Sequence, residues 1–202
     1  MNEARLDLYI AEMPDGDIRA PLTPPERERE VRAVGAESVR REKYFVWRLL
    51  EYAIRHSFGM SIEDAHLVKR ESGKWTSEYF YLSLSHSGAA LAVAVSTSPV
   101  GVDIEKIIEP RAQSFALRVL GESEYEKYES LTPKERPLFL TECWTRKESE
   151  FKMGDGEAFI PKKYGTLNSG RTSSLKIRGE TYVFSVASPL EQELNILYNV
   201  KI

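Results

Sequence analysis

The sequence has a single cysteine, Cys143, among its 202 residues, so it cannot form an internal disulfide. This excludes a small fold held together by disulfides in an oxidising compartment. Positive charge is not in excess either, because 28 Lys and Arg stand against 31 Asp and Glu, which gives a net charge of −3. We therefore do not expect a nucleic-acid partner bound through bulk positive charge, and any site for an anion must be built locally.

Uncharged stretches long enough to cross a membrane are scarce. The segment 79–102 has 24 residues without Asp, Glu, Lys or Arg, but it contains five serines, His86, Gly88 and Pro99. Its apolar residues partly alternate with polar ones, which predicts strands and turns rather than a membrane span. The N-terminus lacks the apolar core of a signal peptide. We expect a soluble cytoplasmic protein without a membrane segment.

Several motifs that mark common enzyme classes are also missing. The sequence contains no P-loop, no G-x-G-x-x-G, no C-x-x-C and no H-E-x-x-H. It also lacks the G-x-S-x-G turn that presents a nucleophilic serine, which argues against a hydrolase with a Ser-His-Asp triad.

The periodicity of the apolar residues predicts an α+β fold. At about 150 residues per domain the length corresponds to about 1.3 domains, either one large domain or two small ones. For the first half the pattern predicts strands and helices at 6–10, 23–32, 36–58, 66–69, 79–84 and 91–95. For the second half it predicts them at 100–105, 112–120, 123–128, 137–153, 175–177, 182–186 and 194–198. This order divides the chain into two α+β halves, 1–98 and 99–202.

The segment Val100–Glu105 carries the first candidate site residues. Side chains alternate along a strand, so Gly101, Asp103 and Glu105 share one face. Two carboxylates beside a glycine suit a hard cation and a closely bound phosphate. The alternative is a half-buried strand with a solvated polar face.

A second candidate lies in the helix predicted at 137–153. Trp144, Glu148 and Lys152 follow one another at intervals of four residues and therefore share one stripe of the helix, next to Lys147. The carboxylate could complete a metal site, and the lysine could place positive charge near an anionic substrate. The alternative is an ordinary surface ion pair with a tryptophan in the core. Cys143, next to Trp144, is expected to be a packed thiol rather than a nucleophile.

The third candidate is Ser85-His86-Ser87-Gly88, at the end of an apolar strand. Small hydroxyl residues before a glycine leave donors exposed, which suits contact with a phosphate. His56 and His66 have no such neighbours, so we expect them to be packing or surface residues.

Taken in their order along the chain, the three motifs resemble the signature of the 4′-phosphopantetheinyl transferase family: Ser85-His86-Ser87-Gly88, then Gly101–Glu105, then Trp144–Lys152. The tryptophan and the chain length are similar to the larger, surfactin-synthetase-activator (Sfp) type. The resemblance implies a pseudo-dimer of two similar α+β halves with the active site in the cleft between them. It implies that a serine of an apo acyl or peptidyl carrier protein attacks the β-phosphate of coenzyme A. Phosphopantetheine is thereby transferred and 3′,5′-ADP leaves.

The resemblance also implies roles for individual residues. Asp103, Glu105 and Glu148 match the ligands of Mg²⁺, and Glu148 and Lys152 match the catalytic base and the lysine that stabilises the pyrophosphate. The residues expected to bind coenzyme A are Ser85, His86, Lys74, Arg27, Arg41 and Lys147. For Lys147 a structural role is the alternative, and for Arg27 and Arg41 a solvated charged face. The chain departs from the family pattern at Trp75, which stands where a Gly-Lys-Pro turn has its proline.

Two other functions remain open at this point. The same three acids could support another Mg²⁺-dependent phosphoryl transfer, such as that of a nuclease, although a nuclease does not need Lys152 or the serine-histidine motif. Alternatively, the chain could be a catalytically silent module that binds coenzyme A or a carrier protein. For the transferase we expect a monomer, because the pseudo-dimer places both halves in one chain.

Overall fold

The computed structural model describes residues 5–109, 113–154, 158–165, 170–189 and 193–202. It has an α+β architecture, as the sequence predicts. None of the helices in these ranges is both long and apolar enough to span a membrane.

The first sheet has four strands and two covered faces. Its strands are β1 (Leu6–Glu12), β4 (Tyr81–Ser87), β5 (Ala90–Ser96) and β9 (Leu194–Leu197), and a separate short hairpin is formed by β2 (Val68–Lys69) and β3 (Trp75–Thr76). The strand order is β4-β5-β1-β9, with β1 parallel to β9 and antiparallel to β5. Because a helix covers one face and the second sheet the other, every residue of β5 is buried.

The helical layer follows directly from the sequence pattern. α1 (Pro25–Arg32) begins with a proline in its first turn, and α2 (Glu37–Phe58) ends at Gly59, whose left-handed conformation (φ 66°) closes the helix. Trp47, Leu50 and Ile54 are fully buried against the first sheet. This packing fixes the start of α2 near the end of β4.

The second sheet carries the acidic motif. Its order is β6-β8-β7, formed by β6 (Gly101–Lys106), β7 (Arg171–Ile177) and β8 (Glu180–Ala187). α5 (Arg136–Met153) packs across β6 and β8, and the shorter helices α3 (Gln113–Val119) and α4 (Glu122–Ser130) pack against α5. The last strand, β9, lies in the region 99–202 but pairs with β1 in the first sheet. This pairing connects the two regions that the sequence predicts as separate halves. The boundary at 98/99 stays a prediction.

Gly101 allows α5 to lie directly on β6. A Cβ atom built at this glycine would lie 1.9 Å from the carbonyl oxygen of Ser149 and 2.5 Å from the backbone nitrogen of Met153. The backbone of the helix therefore fills the space where a side chain would stand. The sequence pattern suggested that this glycine leaves room for a phosphate, but the structure shows that it leaves room for α5.

We expect Gly101→Ala to cost about 3 kcal/mol of stability or more, because neither contacting backbone atom can move without shifting the helix. The urea midpoint, followed by circular dichroism, measures this loss. Gly35→Ala is the control, since nothing lies within 4 Å of the added Cβ, and it should change stability by less than about 0.5 kcal/mol. Equal midpoints for the two variants would show that the contact is not tight.

Candidate active site

The acids and the lysine predicted from the sequence meet at one pocket. Asp103 and Glu105 project from β6, and Glu148 and Lys152 lie one turn apart on α5, which Gly101 holds against that strand. The β4–β6–α5 pocket is lined by Arg27, Lys43, Val46, Leu84, Ser85, His86, Asp103, Glu105, Glu148 and Lys152. Residues from both sheets thus contribute to a single concave surface.

Lys152 connects the acids of the two elements. Its Nζ lies 2.6 Å from Oδ1 of Asp103 and 3.4 Å from Oε2 of Glu148. It also donates to Oγ of Ser85 at 3.1 Å. Burial lowers the pKa of Lys152, but the carboxylates of Asp103 and Glu148 raise it by more. The net shift of the pKa is upward, so the ammonium stays charged. The i, i+4 pair predicted on the helix is therefore part of a buried cluster that includes β6.

Glu105 and Glu148 are costly to ionise in the pocket. Burial raises the pKa of Glu105 to about 7, against a hydrogen bond from Ser87 that lowers it. Burial and then the neighbouring Asp103 carboxylate raise the pKa of Glu148. Three carboxylates facing one ammonium leave an excess of negative charge. Such a cluster favours binding of a cation.

The donor chemistry of these acids fits Mg²⁺. Carboxylate oxygens are its preferred protein ligands, and the buried Oδ2 of Asp103 has no hydrogen-bond partner among the described residues. In the described ranges, no group of three Asp, Glu, His or Cys side chains is close enough together to hold a metal ion in the present conformation. The carboxylates of Asp103, Glu105 and Glu148 would have to close around it.

His86 borders the pocket as a neutral side chain. It lies between Ser85 and Ser87 on β4, so its side chain is on the face of the strand opposite to that of the two serines. Its Nδ1 is 3.1 Å from Oε2 of Glu42 on α2. Burial, followed by the positive charge of Lys152, lowers the pKa of His86 to about 4. At neutral pH it can offer an N–H to an anion without carrying charge.

Two basic side chains from the helices complete the pocket. Arg27 is only 7% exposed, donates to the carbonyl oxygen of Lys43 at 2.6 Å and stacks 4.8 Å above the ring of Trp47. Lys43, at the start of α2, lines the same pocket.

Lys74 lies beside this pocket rather than within it. Its Nζ donates to the carbonyl oxygen of Gly154 at 3.0 Å, which ties the β2–β3 turn to the end of α5. An adjoining, more apolar pocket is lined by Gly73, Lys74, Trp75, Leu84, Phe151 and Lys152, among others. Leu84 and Lys152 border both pockets, so the two are continuous.

Comparison of the sequence with known proteins relates the chain to one superfamily. The sequence model of the 4′-phosphopantetheinyl transferase superfamily matches residues 99–182. A 4′-phosphopantetheinyl transferase of Bacillus subtilis is 25% identical over 158 residues, which cover 70% of this chain and 69% of that protein. The 4′-phosphopantetheinyl transferase psf-1 of Bacillus pumilus is 28% identical over 108 residues, 52% of this chain and 46% of that protein. The chain thus matches about half the length of this second relative.

A third relative decides the family. The 4′-phosphopantetheinyl transferase AcpT of Escherichia coli strain K12 is 31% identical over 146 residues, 69% of each chain. The chain belongs to the 4′-phosphopantetheinyl transferase superfamily. The Asp103, Glu105 and Glu148 cluster lies within the range matched by the superfamily model.

Two of the residues predicted to bind coenzyme A lie elsewhere in this member of the superfamily. Lys147 is buried, 2.8 Å from Oε2 of Glu124, and donates to the carbonyl oxygen of Tyr164 at 3.1 Å. Its contacts stabilise the second half and do not reach the β4–β6–α5 pocket. Arg41 donates to the carbonyl oxygens of Gly16 and Pro14 at 2.5 Å and lines a separate groove. For Lys147 these contacts support the structural alternative. Arg41, predicted either to bind coenzyme A or to lie on a solvated charged face, instead ties α2 to the segment around Pro14 and Gly16.

The sequence assigns no individual role to three residues that line this site or contact its side chains. Ser87 donates to Glu105 at 2.7 Å, and its position two residues after Ser85 could have indicated a shared strand face. Glu42 and Lys43 lie in the second turn of α2, but no local pattern selects them from the charged run around Arg40.

Cys143 does not line the β4–β6–α5 pocket. Its side chain is 1% exposed, with Sγ 3.6 Å from Nη2 of Arg146. Burial, then the nearby charge of Glu124, raise the pKa of the thiol to about 11. The thiolate is the reactive form, so the folded chain holds this cysteine in an inert state.

We therefore expect the folded protein to react with a thiol reagent at pH 8 about 100-fold more slowly than after unfolding in guanidinium. Absorbance at equal reagent concentration measures both rates. The control is Ser130→Cys in a Cys143→Ser background, because Ser130 is exposed at the end of α4. Fast reaction of Cys143 in the folded protein would refute the assignment.

Proposed function

We propose that this chain transfers 4′-phosphopantetheine from coenzyme A to a serine of an apo carrier protein and releases 3′,5′-ADP. Membership of the superfamily supports the reaction class. The observation that carries the proposal is the meeting of Asp103, Glu105, Glu148 and Lys152 at one pocket. Generic surface ion pairs would not bring residues of a strand and a helix to one concave site.

The proposal extends to the architecture. The regions 1–98 and 99–202 form two similar halves of a pseudo-dimer, and coenzyme A binds in the cleft between them. The pocket receives side chains from α1, α2 and β4 of the first half and from β6 and α5 of the second. Binding between elements of both halves accounts for this shared lining.

The residues of the pocket suit a phosphoryl transfer in which positioning and charge dominate catalysis. Glu148 accepts the proton of the carrier serine, and its raised pKa makes it a stronger base at neutral pH. The serine oxygen bonds to the β-phosphorus of coenzyme A while the bond from that phosphorus to the bridging oxygen breaks. Lys152 places its positive charge where the leaving 3′,5′-ADP gains negative charge.

Mg²⁺ held by Asp103, Glu105 and Glu148 would neutralise charge on the pyrophosphate of coenzyme A. This chain's own cations then hold the remaining phosphate groups. Arg27 and Lys43 line the same pocket, Lys74 borders the adjoining one, and the neutral His86 can donate an N–H. We propose these four as the coenzyme A contacts.

The partners that follow are coenzyme A and an acyl or peptidyl carrier protein from fatty acid, polyketide or nonribosomal peptide biosynthesis. We expect the chain to act as a cytoplasmic monomer, since the two halves of a pseudo-dimer complete one site. Size-exclusion chromatography with light scattering tests the monomer separately from the activity.

The decisive experiment is incubation with coenzyme A, MgCl₂ and a panel of apo carrier proteins, followed by mass spectrometry of each carrier. We expect a phosphopantetheine adduct on at least one carrier and none when a chelator replaces the metal. Binding of coenzyme A without an adduct on any carrier would favour a silent binding module. Cleavage of nucleic acid without coenzyme A would favour a different phosphoryl transfer.

A further inference from the structure

Strands β4 and β6 belong to different sheets, yet serine side chains join them. Three alternate serines of β4 each accept a backbone N–H of β6 through the hydroxyl oxygen. The pairs are Ser83 with Val102 at 3.0 Å, Ser85 with Ile104 at 3.2 Å and Ser87 with Lys106 at 3.3 Å. We call this row of contacts the serine seam. It replaces backbone pairing between the two strands.

Two of the three serines make a second hydrogen bond, to the acids of the pocket. Ser85 Oγ donates to Oδ1 of Asp103 at 2.8 Å, and Ser87 Oγ donates to Oε2 of Glu105 at 2.7 Å. Ser83 has the same place in the seam but donates to no carboxylate among the described residues.

The hydroxyl of Ser85 is saturated by these contacts. A serine hydroxyl has one proton to donate and two lone pairs that accept. Ser85 donates to Asp103 and accepts from the backbone N–H of Ile104 and from Nζ of Lys152. This arrangement leaves it without a donor for a phosphate. Its position favours a contact with the acid over the contact with coenzyme A that the sequence suggested.

We propose that Ser85 and Ser87 are positioning residues that fix the Asp103 and Glu105 carboxylates for metal binding. The inference rests on the proposed function. Each hydroxyl is anchored to the backbone next to the residue that it orients, since Ile104 follows Asp103 and Lys106 follows Glu105. The serine seam therefore couples the docking of the two sheets to the orientation of the acids.

Ser87 gives the cleaner test, because Ser85 also contacts Lys152. Removing the hydroxyl in Ser87→Ala leaves the Glu105 carboxylate without its donor. Partners that orient metal ligands commonly contribute 10- to 100-fold in metal affinity. For a half-buried residue that acts on one of three ligands, we expect Mn²⁺ affinity to fall about 10-fold.

The experiment is titration of the full chain with Mn²⁺, followed by electron paramagnetic resonance of the free ion. Ser83→Ala is the matched control, since it removes one seam contact without touching an acid, and we expect its Mn²⁺ affinity to stay within about 2-fold of wild type. Ser87→Thr keeps the hydroxyl and should restore affinity. Thermal melting checks folding, and Ser87→Cys, with its weaker donor, replaces the alanine variant if that variant unfolds.

Equal Mn²⁺ affinities for Ser87→Ala and Ser83→Ala would overturn the positioning role. If wild type binds Mn²⁺ and modifies a carrier while the serine variants do not differ, only this inference fails. If wild type neither binds Mn²⁺ nor modifies any carrier, the proposed function and this inference both fail. The concentration of Mg²⁺ that gives half-maximal turnover should rise in Ser87→Ala as the Mn²⁺ affinity falls.

Discussion

Glu148→Gln is expected to lower turnover with a carrier protein by about 100-fold or more. The amide has nearly the same shape as the carboxyl group but cannot take the proton of the attacking serine. It also removes one of the three negative charges around the pocket. Because burial and Asp103 raise the pKa of Glu148, losing its charge should leave the fold as stable as wild type. Initial rates of carrier modification under saturating coenzyme A measure the loss.

The matched control for this change is Glu142→Gln. Glu142 lies on the same helix and is also half-buried, but it does not line the β4–β6–α5 pocket. The substitution changes the net charge equally and should leave turnover within about 2-fold. Wild-type turnover in Glu148→Gln would contradict its roles as base and as metal ligand together.

The elements of the fold were largely predictable, but their burial was not. Leu6, Leu8 and Ile10 alternate with the polar neighbours Asp7 and Tyr9, which predicts a strand. The strand exists, but Asp7 and Tyr9 are also buried, because the second sheet covers one face of β1 and α2 the other. Local alternation reports the side-chain period and cannot report what packs on each face.

The same distinction applies to the site. Asp103, Glu105, Glu148 and Lys152 could be found because strand and helix periods place each pair on one face. The prediction that Gly101 leaves room for a phosphate was wrong, since its neighbour is the backbone of a helix about 50 residues away. The serine seam likewise depends on which strands the two sheets bring side by side.

Charged residues were the least predictable part of the site. The family resemblance led us to expect both Arg27 and Arg41 at the coenzyme A site, yet only Arg27 lines the pocket. Lys147 lies within the motif of α5 but forms an ion pair with Glu124. Long side chains adopt contacts set by the tertiary structure, and their spacing along the chain does not determine those contacts.

Lys152→Met should affect both stability and activity. The variant keeps an unbranched side chain of similar length but removes the ammonium that lies 2.6 Å from Asp103 and 3.4 Å from Glu148. The loss of one partner from a buried ion pair costs 3–5 kcal/mol, and since the lysine side chain is 27% exposed we expect about 2 kcal/mol here. Turnover should fall about 100-fold or more, because the proposed function uses this ammonium to stabilise the charge of the leaving group.

Lys69→Met is the matched control for this loss of stability. Lys69 pairs with Glu30 on α1, and its side chain is 31% exposed, similar to that of Lys152. This pair belongs to no acidic cluster, so the control should lose less than about 1 kcal/mol. Added MgCl₂ should recover part of the stability of Lys152→Met, because a bound cation replaces the missing charge, and should leave Lys69→Met unchanged. Equal urea midpoints for the two variants, with or without the metal, would show that Lys152 does not hold the acids of the pocket together.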